Sequence, residues 1–91
     1  MTGIAVTCSA VEGGWSCVVR VTDDDTSTEH RVGVSATDLG RLDPGAVDPV
    51  DLVRRSFVFL LERETKESVL RSFDLTVIGR YFPEWERRIR R

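Results

Sequence analysis

Residues 48–64 read DPVDLVRRSFVFLLERE, and this stretch decides the fold. Asp48 suits a helix cap, Pro49 suits the first helical position, and Asp51 completes a pair resembling a capping box. At about 100° per residue, Val50, Val53, Phe57, Leu60 and Leu61 share one broad apolar face. Leu52 and Phe59 fall on roughly the opposite side. Such a helix needs cover on both sides, so the rest of the chain is read for what supplies it.

Upstream, Ile4, Val6, Cys8 and Ala10 alternate with Ala5, Thr7 and Ser9, and the pattern repeats from Trp15 to Val21. Period two means strands with one buried face. Glu12-Gly13 between them suits a tight hairpin turn, with Gly13 at positive φ. That turn pairs Val6 with Val19, Cys8 with Cys17 and Ala10 with Trp15, so pattern and turn agree on one register. The polar run Asp23 to Thr28 reads as a second turn. Glu29 to Ser35 reads as a third strand, with Val32 opposite Val19 and His30 opposite Val21. An antiparallel meander with one apolar face needs a cover, which the central helix provides.

Ser35 and Asp38 suit the start of a short helical turn through Leu39. Downstream, Thr65 reads as the cap of a short helix holding Val69, Leu70 and Phe73. Asp74 caps another, with Leu75, Ile78, Tyr81 and Phe82 on one side. Phe82 precedes Pro83 and is pushed out of helical conformation. Pro83 then opens a last helix, Glu84 to Arg90. The expected architecture is one α+β domain over 1–91: a three-stranded meander (1–35), the central helix (48–64), then short helices and a basic tail (65–91).

A chain of 91 residues holds one core. With 41% apolar and 31% charged residues it reads as an ordinary soluble protein. The longest apolar run, Phe57 to Leu61, is far short of the ~20 residues of a membrane span, so no membrane is expected. The N-terminus has no basic segment followed by an apolar stretch, and the expected location is cytoplasmic. Residues 1–47 carry seven acids and three bases, and residues 48–91 eight acids and ten bases. Positive charge therefore concentrates at the C-terminus, in Arg87, Arg88, Arg90 and Arg91. Bases there match the helix dipole, and an anionic partner is the functional reading of the same patch.

No residue set rises to a catalytic constellation: His30 is the sole histidine, and Ser35, Ser56 and Ser68 sit in helix or cap contexts. Cys8 and Cys17, even with His30, fall short of the four ligands of a structural zinc site. Asp23-Asp24-Asp25 lacks the spacing of a calcium loop and reads as a solvated turn. No metal or cofactor is expected, and the chain reads as no enzyme. In a cytoplasmic chain the two cysteines read as small, reduced core residues, with a redox-switch disulfide as the alternative. Glu67 to Phe82 invites comparison with a helix-turn-helix. Its reading helix would present Val77, Ile78, Tyr81 and Phe82 with Arg80 as its one base, which is poor chemistry for base edges.

From Leu52 to Glu86, LVRRSFVFLLERETKESVLRSFDLTVIGRYFPEWE resembles small single-domain proteins of high-GC bacteria, centred on RYFPEWE. The Arg-over-Lys bias, with Lys66 the single lysine, fits a GC-rich coding genome. The resemblance implies a natural bacterial domain and carries over neither activity nor site.

The function expected is therefore a non-catalytic protein–protein interaction or regulatory module. The alternative is a small nucleic-acid-associated regulator using the Arg-rich tail. A homodimer is expected, because a two-fold interface covers the apolar groups left over, Leu52, Phe59, Tyr81, Phe82, Trp85 and Ile89; the alternative is that the short terminal helices fold back over Leu52 and Phe59 in the same chain.

Overall fold

A computed structural model describes residues 2–90 and shows an α+β chain. Strands β1 (Thr2–Val11), β2 (Gly14–Asp23) and β3 (Thr26–Ser35) form the antiparallel meander. Helix α1 (Ala36–Leu42) follows, then the central helix α2 (Val50–Leu61) and a single 3-10 turn, Lys66–Ser68. A short strand β4 (Ser72–Asp74) and two short helices, α3 (Val77–Tyr81) and α4 (Trp85–Ile89), complete the order. The sheet runs β1-β2-β3-β4, with β4 parallel to β3.

The first hairpin has the expected register: Val6 faces Val19, Cys8 faces Cys17 and Ala10 faces Trp15. Gly13 takes φ +80° in the two-residue turn, where an L side chain would be strained. The second hairpin corrects the expectation by two residues. Val19 faces His30 and Cys17 faces Val32, because Asp24 enters the left-handed region at φ 54° and tightens the turn to two residues. A slip of two keeps every side chain on its face, so the apolar pattern fits both registers.

Ser35 caps α1, its Oγ accepting from the Asp38 amide at 3.0 Å. Asp48 Oδ1 accepts from the Val50 amide at 3.0 Å at the start of α2. Asp51 pairs with Arg55 Nε at 2.9 Å, one turn on. Val53 and Phe57 are fully buried with Cys17, Val19, Val21 and Val32 of the sheet.

After α2 the first of the expected short helices is replaced by the 3-10 turn and β4, whereas α3 and α4 fall where the second and third were expected. Ser72–Asp74 is extended, pairing with Arg31, Val32 and Gly33. The Arg31 amide donates to the Arg71 carbonyl at 2.7 Å and the Leu75 amide to the Gly33 carbonyl at 2.9 Å, so β4 is seated at both ends. Phe82 is non-helical before Pro83, as expected, at φ −131° and ψ 88°. Trp85 is fully buried beneath α3, and an added Cβ at Gly79 would come within 3.3 Å of its ring. Gly79 is the residue that makes room for it.

Candidate interaction surfaces

The expected dimer patch is corrected by burial. Leu52 and Trp85 are inaccessible, and Phe59 and Ile89 nearly so, within the single chain. Helix α4 folds back onto α2 and covers its second apolar side. The Trp85 Nε1–H donates to Ser56 Oγ at 3.1 Å, and that hydroxyl donates to the Leu52 carbonyl at 2.9 Å. Phe59 meets Phe82 edge-on with centroids 5.8 Å apart, and the Arg63 guanidinium lies 3.7 Å from the Phe59 ring centroid. Only Tyr81, 67% exposed, and the half-buried Phe82 remain at the surface. They border a groove of about 220 Å³ with Leu70 and Val77 on its rim and Phe73 and Ile78 beneath.

The tail is split by its pairings. Arg90 approaches Glu86 at 3.8 Å, while Arg87 and Arg88 are exposed; Arg91 lies outside the described residues. Arg88 and Arg90 share a cleft with Arg54, but Asp51 and Glu62 line it too, so its charge is mixed. Arg55 fastens this end of the molecule, bonding Asp51, Asp43 at 2.7 Å, and the Ile89 carbonyl. Arg41 on α1 reaches Glu86 on α4 at 2.7 Å. The Glu67 to Phe82 segment is a 3-10 turn, a strand and a short helix, which corrects the helix-turn-helix comparison.

His30 is 1% exposed, and both ring nitrogens are engaged. Its Nδ1 lies 2.8 Å from the Leu70 carbonyl, which only accepts, so the proton sits on Nδ1. Nε2 then accepts from the Thr28 hydroxyl at 2.8 Å. Burial pushes the imidazole pKa below its ordinary value, Arg71 adds to this, and the Leu70 bond opposes it. The histidine ties the chain before β4 to β3.

The cysteines correct the reduced reading: Cys8 and Cys17 are joined in a disulfide across the first hairpin. The register brought them face to face. Among the described residues no helix is long and apolar enough to cross a membrane.

Sequence patterning did not single out the outer edge of β1. The strand lies at the margin of the sheet and, among the described residues, pairs only with β2. The Cys8–Cys17 Cα separation of 4.0 Å marks a non-hydrogen-bonded pair, and alternation then assigns Ile4, Val6 and Ala10 to the same class. The amides and carbonyls of these four residues therefore point away from β2. Their side chains lie on the helix-covered face, where Ile4, Val6 and Cys8 are only half-buried against the core. Thr2–Val11 contains no charged residue and no proline, the devices that usually blunt an edge. The opposite edge is protected: β4 has three residues, ends in Asp74 and follows Arg71. The signal was in the sequence, as a ten-residue uncharged strand at the start of a meander.

Comparison with family models, curated proteins and solved structures gives no match for this chain.

Proposed function

We propose that the chain is a non-catalytic protein–protein interaction module that works by strand addition along β1. The observation that carries this reading is the open edge itself: ten uncharged residues whose outward amides and carbonyls have no strand partner among the described residues. Main-chain groups along such an edge give affinity, and alternate side chains give selectivity. Its half-buried row of Ile4, Val6 and Cys8 adds apolar surface for an incoming strand to cover.

The test is selection of extended peptides from a displayed library against the intact chain. Selected peptides should shift the backbone resonances of β1, and Ala10→Pro should abolish their binding. Proline there removes an outward N–H and leaves the bonds to β2 intact. Peptides that shift only the groove beside Tyr81 would contradict the reading.

A further inference from the structure

Resting on strand addition at β1, we infer that the strand added is β1 of a second copy, antiparallel across a two-fold axis. The two four-stranded sheets then become one continuous sheet of eight.

Parity restricts the pairing. Residues directly opposite one another share a face, and only the even-numbered residues of β1 point their backbone groups outward. An antiparallel copy must therefore pair even with even, and the axis falls at Val6 or at Thr7. With the axis at Val6, Ile4 meets Cys8, Val6 meets its own copy and Ala10 meets Thr2 on the helix side; with the axis at Thr7, Ile4 meets Ala10 and Val6 meets Cys8. On the open side the first register pairs Gly3 with Ser9 and Ala5 with Thr7, and the second pairs Thr7 with its own copy, Ala5 with Ser9 and Gly3 with Val11. Because Thr2–Val11 holds no charge, neither register opposes like charges along the strand.

The size is also right. Nine paired residues span about 30 Å. The even positions then exchange about eight to ten backbone hydrogen bonds, the number of a standard protein interface. The Cys8–Cys17 bridge fastens β1 to β2, so the edge is presented ordered and loses little freedom on pairing. The half-buried Ile4 and Val6 gain the cover that a terminal strand lacks.

Sedimentation equilibrium of the full chain tests this with a charge-swap pair. Thr7 is exposed on the open face beside the proposed axis, so Thr7→Lys and Thr7→Glu leave the core untouched. The unaltered chain should sediment as a dimer. Each variant alone should dimerise about fivefold or more weakly, and an equal mixture of the two should recover the dimer. Ala10→Pro, which removes one outward donor from each copy, should weaken it about tenfold. A 10.3 kDa species throughout overturns self-pairing. So does a dimer indifferent to all three substitutions. If the chain is monomeric, library peptides that bind β1 leave strand addition standing, and their absence sinks both readings.

Discussion

Cys8 and Cys17 show how a residue pair can be placed by pattern and still be misjudged. Alternation and the Glu12-Gly13 turn put them opposite each other, yet the expected compartment favoured thiols over the bond. Position was legible in the sequence; oxidation state depends on surroundings the sequence does not encode. Native protein should release no thiol to a chromogenic reagent until a reductant is added, and two free thiols would contradict the bridge. Replacing both cysteines with alanine should cost about 2–4 kcal/mol in urea unfolding, from the short loop the bridge closes. His30 supports a second prediction. Burial holds its folded pKa below the ordinary value of about 6.5, so the unfolded chain binds the proton first as pH falls. Its contribution is fully present above about 6.5 and is lost as pH falls from there through the lowered folded value. In urea titrations across that window, wild type should lose stability that His30→Gln does not. Equal losses would show that the imidazole is not held neutral.

At the scale of elements, α2 was legible because its apolar residues mark two faces at once, and both are covered. The agent of the second cover was not legible. Trp85 and Ile89 look equally suited to another molecule, and only the Ser56 hydroxyl, poised for the indole N–H, makes the intramolecular seat specific. Trp85→Ala should therefore cost about 3–5 kcal/mol. That is a large share of the roughly 5–14 kcal/mol available to a chain of this size, and thermal unfolding measures it. A loss below about 1 kcal/mol would mean that α4 is not docked on α2 in solution. Strand β4 escaped sequence reading because three residues carry no period, and its pairing joins segments some forty residues apart. The second hairpin was misplaced by two residues for a related reason: apolar alternation fixes the face of a strand but not its offset.

The molecule as a whole is a sheet with one face beneath helices and two unlike margins. One margin is short, charged and tied down through His30 and Leu75. The other is long, uncharged and open along β1, with its ladder groups facing solvent. Fold class and the covered face follow from periodicity in residues 1–64, whereas the margins follow from sheet order, which no local pattern states. Amide hydrogen exchange on the intact chain, followed residue by residue over a dilution series, tests the β1 edge most directly. Ile4, Val6, Cys8 and Ala10 should be protected at high concentration and lose protection together on dilution. The amides of Thr7 and Ser9, bonded to β2, should stay protected throughout. Fast exchange of the four even-numbered amides at every concentration would contradict self-pairing along β1.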